Sequence, residues 1–153
     1  MTYTVTTCFE TDSTINTSAR FEDSLAIEHF RLEFSKVGQV TGLLTVIFSI
    51  GGDEIGRSSI SLDEVNDVGE NLYAFFRFDL EETMVINKKL NTDYVEVDID
   101  MTVSGYTFDS DNFIGVNKQF ESQFVDSYGT LSPDPDTQVW QSPYKIEFYG
   151  TRR

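Results

Sequence analysis

The chain has 153 residues, enough for one domain with a sizeable hydrophobic core, and we expect a single domain over residues 1–153. Its formal net charge is −15, from 26 acidic and 11 basic residues, and a surface this negative argues against nucleic-acid binding and membrane insertion. Aromatic residues make up 14% of the chain, which argues against disorder. The acidity has two explanations, adaptation to a saline environment or selection for solubility.

The N-terminal segment, MTYTVTTCFETD, is rich in β-branched residues and contains the only cysteine, Cys8. A single cysteine excludes an intrachain disulfide, and its place after a β-branched run favours a small buried side chain over a reactive thiol. The segment has neither the basic region nor the apolar core of a signal peptide, and no stretch has the length of a membrane span. We therefore expect a chain that is made in the cytosol.

Residues 30–52, FRLEFSKVGQVTGLLTVIFSIGG, predict two strands joined by a turn. Apolar residues alternate with polar ones in the first strand and are nearly continuous in the second. The residues predicted to face the core are Phe30, Leu32, Phe34, Leu44, Val46, Phe48 and Ile50. Leu43 and Ile47 lie on the opposite face, which predicts either a strand covered on both sides or a contact with a neighbouring subunit.

Several later segments have the same period of two. EIGRSSISL, LYAFFRFDL, DYVEVDIDMTV, FIGVN, QFVDSY and YKIEFYG predict strands, and SLDEVND at residues 61–67 predicts only a short helical turn. The aromatic residues predicted to face outward on these strands are Tyr73, Phe75, Tyr94 and Tyr149. Exposed aromatic rings can stack on sugars or form subunit contacts, and the alternative is that loops or the second sheet cover them.

This pattern gives about 8–10 strands with no crossover helices. It predicts an all-β fold, an antiparallel two-sheet β-sandwich of the jelly-roll type. The longest segment without strand character is residues 128–143, which contains Trp140 and is a candidate functional loop.

The sequence contains no motif for nucleophilic, phosphate or zinc chemistry. Its only histidine, His29, lies on the polar face of a predicted strand, where a structural role is favoured over catalysis. Asp98 and Asp100 share one outward strand face about 7 Å apart, and a solvated surface is favoured over a glycosidase carboxylate pair. We expect no enzymatic activity. A cupin-like metal site needs several histidines, and the sequence has only one.

The segment DSDN places the oxygen ligands of Asp109 and Asp111 at alternating positions, as in a calcium loop. It lacks the glycine and the distal glutamate of an EF-hand. Ca²⁺ bound by Asp109 and Asp111 is therefore a weak prediction, and no other cofactor is expected.

The order of the predicted strands resembles a β-sandwich module of tailed-virus structural proteins and of exported carbohydrate-binding-like domains. The similarity rests on the Lys-Val-Gly turn at residues 36–38, the GLLTV strand that follows, the small-residue strand GRSSISL, the aromatic strand YAFFRFDL, and the Leu90, Thr92 and Tyr94 positions. It covers roughly residues 18–150. DEVNDVGEN departs from the usual glycine-rich tip, and Trp140 lies in an unusual segment.

The resemblance implies a non-enzymatic role in building or binding. It implies a virion structural protein of a tailed virus, located on the particle as a capsid decoration, turret, head fibre or tail module, with attachment to the host surface as a further role. Residues 1–17 fall outside most of the pattern, and we expect them to form an arm that engages a neighbouring subunit.

The partners that follow from this interpretation are other copies of the chain, as a trimer or pentamer, other virion proteins, and a host-surface glycan. The alternative is a stand-alone, lectin-like carbohydrate-binding module, calcium-assisted through Asp109 and Asp111, in which Trp140 contacts the sugar.

Overall fold

A computed structural model of the chain describes residues 6–8, 14–21, 23–64, 74–105, 113–117, 122–126, 139–140 and 146–153. The elements are β1 (Thr6–Cys8), β2 (Thr14–Phe21), β3 (Leu25–Val37), β4 (Leu43–Ile50), β5 (Asp53–Ser61), β6 (Ala74–Ile86), β7 (Val95–Ser104), β8 (Phe113–Asn117), β9 (Ser122–Asp126), β10 (Val139–Trp140), β11 (Ile146–Arg152) and a 3₁₀ turn at Leu62–Glu64.

The strands form two sheets. Sheet A has six strands in the order β1-β8-β3-β11-β9, with β6 also paired to β3, and sheet B has five in the order β10-β2-β7-β4-β5. All pairs are antiparallel except β11 with β9. The predicted all-β fold with two antiparallel sheets is confirmed.

The described residues include no helix that is long and apolar enough to cross a bilayer.

A layer of phenylalanine rings joins the two sheets. Phe48 of sheet B meets Phe30 of sheet A edge-on at 4.9 Å between ring centroids and Phe148 of sheet A at 5.9 Å. Phe21 of sheet B meets Phe148 at 5.2 Å. The fully buried aromatic and aliphatic residues of both sheets surround these rings: Ala19, Leu25, Ile27, Leu32, Phe34, Leu44, Val46, Leu62, Phe78, Ile86, Val97, Ile99, Met101, Val103 and Ile146. The core predicted for β3 and β4 is confirmed, with Ile50 half-buried and packed against its edge.

The turn after β3 crosses between the sheets. The sequence predicts β3 and β4 as two strands joined by a turn, and both strands exist. They do not pair with each other, because β3 lies in sheet A and β4 in sheet B. Gly42 has a φ of 114°, and a side chain there would collide with the carbonyl oxygen of Ser104. The buried Lys36 donates from Nζ to the carbonyl oxygen of Leu62 at 2.7 Å. This bond ties the end of β3 to the 3₁₀ turn.

A β-bulge at Glu28 changes the alternation of β3. Ile27 pairs with Gly150 of β11, and His29 pairs with the preceding residue, Tyr149, so Glu28 has no partner on β11. Ile27 and Phe30 are therefore both buried, while His29 lies on the outer face. If the alternation of Leu25 and Ile27 continued unbroken, His29 would lie in the core.

β6 is irregular at the same level. Ile27 pairs with Met84 and His29 with Asp79, so residues 80–83 of β6 lie opposite the single residue Glu28. The sequence pattern predicted that this strand ends at Leu80. That prediction is wrong, because the polar residues after Leu80 belong to an insertion within the strand. β6 continues to Ile86, and Met84 and Ile86 return to the core.

The predicted N-terminal arm, residues 1–17, has two described parts. Thr6–Cys8 pairs with β8 of the same chain, at the edge of sheet A. Thr14 already belongs to β2, which pairs with β7 along its whole length. Residues 14–17 of the predicted arm therefore belong to sheet B.

We expect Gly150→Ala to destabilise the protein strongly. A Cβ atom at this position would collide with the backbone carbonyl oxygen of Ala26, and neither strand can move without disturbing the bulge. The free energy of unfolding should fall by roughly 2 kcal/mol or more, as measured by urea denaturation. Thr151→Ala, at the next, exposed position, is the control and should change it by less than about 0.5 kcal/mol. Equal stabilities for the two variants would contradict the packing argument.

Candidate functional site

Four residues form a connected cluster on the outer face of sheet A, which we call the sheet A cluster: His29, Arg31, Glu147 and Tyr149. The β3–β11 register places His29 opposite Tyr149 and Arg31 opposite Glu147. The His29 and Tyr149 rings stack with centroids 4.4 Å apart and planes 13° from parallel. Arg31 Nη1 donates to Tyr149 Oη at 3.1 Å, and that hydroxyl donates to Glu147 Oε1 at 3.2 Å.

The surroundings of the imidazole in the sheet A cluster lower its pKa. Burial lowers the pKa of His29 most, and the positive charge of Arg77 lowers it further. Asp79 and Glu28 act in the opposite direction without reversing the shift. The Tyr149 hydroxyl is engaged by a cation and a carboxylate at once. These mutually satisfied groups stabilise the outer face of sheet A and leave no activated nucleophile among the four residues.

A second cluster lies at one corner of the outer face of sheet B, and we call it the Arg20 corner: Arg20, Tyr94 and Glu96. The guanidinium carbon of Arg20 lies 4.5 Å from the centroid of the Tyr94 ring, within the range of a cation–π contact. Arg20 Nε donates to Glu96 Oε2 at 3.3 Å. The Tyr94 residue stays 42% exposed. Edge strand β10 adds Trp140, whose backbone is registered opposite Arg20.

Polar groups cover most of the remaining outer face of sheet B. Thr14 and Thr102 share a hydrogen bond between hydroxyls at 2.8 Å, and Thr45 and Ser59 share one at 2.9 Å. The register aligns these four residues in one row across β2, β7, β4 and β5. The row is continuous because β7 pairs with β2 and β4 without a register shift.

Leu43 and Ile47 interrupt this polar face. Leu43 is 42% exposed, and Ile47 is half-buried beside Asp100 and Arg57 in the register. Both lie on the face opposite the core, as the alternation of β4 places them. The chain itself leaves Leu43 open to solvent.

A cleft lies where β5 and β6 approach each other at the other side of the sandwich. It has a volume of about 230 Å³ and is lined by residues 54–57 and 80–83. Arg57 pairs with Glu54 within it and lowers the pKa of that carboxyl group by hydrogen bonding. Ser58 donates to the backbone carbonyl of Asp79 at 2.6 Å and links the two strands. The described residues include no group of three or more metal-ligating side chains here or elsewhere.

The other residues singled out in the sequence have mixed positions. Tyr73, Asp109 and Asp111 lie outside the described residues, so the predicted calcium loop stays a prediction. Phe75 is placed only by its backbone, opposite Glu33 of β3. Tyr149 is half-buried within the sheet A cluster.

Of the predicted ligand residues, the structure places Tyr94 beside Arg20, and it registers the backbone of Trp140 opposite Arg20. Sequence reasoning missed Arg20 and Glu96 as members of this cluster. The alternation of polar residues on β7 placed Glu96 on a solvent face, but it gave no indication that β2 and β7 are neighbours.

No family model, curated protein or solved structure matches this chain. The resemblance to virus and carbohydrate-binding-like modules therefore rests on the residues that suggested it.

We expect His29 to make stability depend on pH. Its folded-state pKa is below the value of about 6.5 found in an unfolded chain, so the unfolded chain takes up the proton first. The contribution is complete above about pH 6.5 and is lost as the pH falls through the lower, folded-state pKa.

His29→Phe, which keeps an aromatic ring but cannot titrate, isolates this contribution from that of the carboxylates. Urea unfolding from about pH 7.5 to about pH 5.5 should show the wild type losing stability relative to His29→Phe. A difference between the two proteins that stays constant with pH would contradict the role assigned to His29.

Proposed function

We propose that the protein is a non-enzymatic structural module of a tailed-virus particle, where several copies assemble on the particle surface. The resemblance described above supports this role, and so does the place of β1 at the end of the strand order of sheet A. The proposal includes other virion proteins as partners and a trimer or pentamer as the assembled form.

The observation that carries the proposal is the position of β1. This strand has three residues and pairs with Asn117, Val116 and Gly115 of β8. It is the last strand in the order of sheet A, and the described residues place no strand on its other side. A short edge strand held by one neighbour has unpaired backbone groups, and these can add to a sheet of another subunit or exchange between subunits.

The net charge sets the condition for such an assembly. Copies that each carry −15 repel one another, and the repulsion extends over about 10 Å at 0.1 M salt but only about 3 Å at 1 M. Close packing of the copies is therefore favoured by high ionic strength. This connects the assembly role with the saline environment that the composition suggests.

A second function, that of a lectin-like carbohydrate-binding module, is favoured by the Arg20 corner. An exposed aromatic ring beside a guanidinium and a carboxylate combines a stacking surface with hydrogen-bond donors and acceptors. On a virus particle, such a module would attach to glycans of the host surface.

We expect assembly to require β1 and salt. Size-exclusion chromatography with mass determination should give a fixed oligomer in about 2 M salt and smaller species in about 50 mM salt. Thr7→Pro removes a backbone donor from β1 and should give a monomer at both salt concentrations, with the β-sheet circular dichroism retained.

Thr7→Val is the matched control, since valine keeps the backbone donor and the preference for strand conformation. It should assemble like the wild type. A monomeric wild type at high salt, or full assembly of Thr7→Pro, would refute the role of β1.

We expect the wild-type protein to bind a subset of sugars on a glycan array, because the Arg20 corner offers both stacking and hydrogen bonding. The array should be probed with and without Ca²⁺, so that a calcium requirement involving Asp109 and Asp111 is detected. An array without signal under both conditions would reject the carbohydrate-binding function and leave the assembly function untouched.

A further inference from the structure

We infer that the Arg20 corner and the polar strip of β2 and β7 beside it form a binding site for a chain of neutral hexopyranose sugars. This inference rests on the carbohydrate-binding function proposed above. It adds the place on the fold, the class of glycan and the part that each residue plays.

Tyr94 supplies the stacking surface of this site. Tyr94 directly precedes the core strand β7 and is 42% exposed. The Arg20 guanidinium lies 4.5 Å from the centroid of its ring. The stacked guanidinium restricts the ring, so less side-chain entropy is lost when a ligand binds. The C–H face of a pyranose is apolar and packs on an aromatic ring, whereas its hydroxyl groups point outward around the rim.

Arg20 and Glu96 supply the polar contacts to those hydroxyls. The guanidinium has five N–H donors, and the bond from Nε to Glu96 uses one of them. A carboxylate can accept several hydrogen bonds, so Glu96 keeps acceptor capacity beside the ring. Their mutual bond fixes both side chains before a sugar arrives, and both remain solvent-accessible, with 38% and 44% of the side chain exposed.

The rows next to the corner suit a ligand that extends along the strands. Ser18 pairs with Asp98 in the first row, and Asn16 pairs with Asp100 in the second. These side chains are short and carry hydrogen-bonding groups, and neither row is interrupted by a bulge. A strip of short side chains on a sheet face lacks the concave walls that enclose a single small molecule, and it suits a chain of several sugar rings.

Charge selects neutral glycans over acidic ones. Glu96, Asp98 and Asp100 lie on one face of β7, and the whole chain carries −15. A uronic acid, a sialic acid or a sulfated sugar would bring further negative charge onto this face. Neutral hexopyranoses avoid this repulsion and still use every donor and acceptor named above.

Trp140 offers a spectroscopic reporter. It is the only tryptophan of the chain, and its backbone is registered opposite Arg20 on edge strand β10. Tryptophan emission therefore reports on this one position of the chain. We expect a ligand bound at the Arg20 corner to change that emission.

The experiment is a titration of tryptophan fluorescence with neutral β-linked gluco- and galacto-oligosaccharides, with uronic-acid and sialylated oligosaccharides in parallel. The wild type should show a saturable change with a neutral oligosaccharide only. Tyr94→Ala should weaken binding at least about tenfold, the effect of losing one stacking contact, and Tyr94→Phe should keep it within about threefold.

Leu43→Ala is the matched control. Leu43 has the same exposed fraction as Tyr94 and lies on the same face of sheet B, but on β4 and away from the corner. This variant should bind like the wild type. Calorimetry on all four proteins supplies an affinity that does not depend on fluorescence, and urea denaturation confirms that each variant is folded.

Each other outcome overturns a distinct part of the inference. Equal affinity of Tyr94→Ala and the wild type would refute this site while leaving the carbohydrate-binding function in place. Binding of the acidic oligosaccharides alone would refute the neutral class. No binding of any oligosaccharide by the wild type would refute the site together with the carbohydrate-binding function.

Discussion

The close contact of Gly150 with the backbone of Ala26 is the constraint on which the rest of the fold depends. It allows β11 to lie against β3 at the point where Glu28 bulges out. The bulge reverses the alternation of β3, a strand of 13 residues that pairs with β6, β8 and β11. Phe30 consequently enters the core and meets Phe48 of the other sheet edge-on. Without the bulge, half of β3 would present its polar face to sheet B.

The same irregularity explains why the two outer faces differ. In sheet A, the bulge brings His29 to the surface, where its ring stacks on Tyr149 and where ionic and hydrogen-bonded partners satisfy the Tyr149 hydroxyl. In sheet B, β7 pairs with β2 and β4 in continuous register, and its polar side chains stand in even rows. Sheet A thus uses its outer polar groups internally, whereas sheet B leaves an exposed aromatic ring and carboxylates available to a ligand.

The sequence predicted the strands and much of the core because a period of two is a local property. The buried residues of β7, Val97 to Val103, follow it without exception. The bulge could not be predicted, since Glu28 is an ordinary exposed residue and Gly150, which packs closely against the neighbouring backbone, lies far along the chain. The Arg20 corner had the same difficulty: Arg20 and Glu96 are 76 residues apart and meet only because β2 and β7 are neighbours. Tyr94 was a candidate because it was predicted to face outward on a strand, and Trp140 because of its residue type in a long loop segment.

The two proposed functions use different parts of the molecule and respond differently to salt. The proposed assembly through β1 would use an edge of sheet A, and the proposed glycan binding would use the outer face of sheet B, so the two proposals do not compete for one surface. Assembly brings together like-charged copies and depends on screening. A neutral glycan carries no charge to screen, and its stacking and hydrogen bonds do not rest on long-range Coulomb forces. In a saline environment the acidic surface would therefore permit assembly without weakening attachment, and in dilute solution the two activities would separate, with a dissociated subunit that still binds sugar.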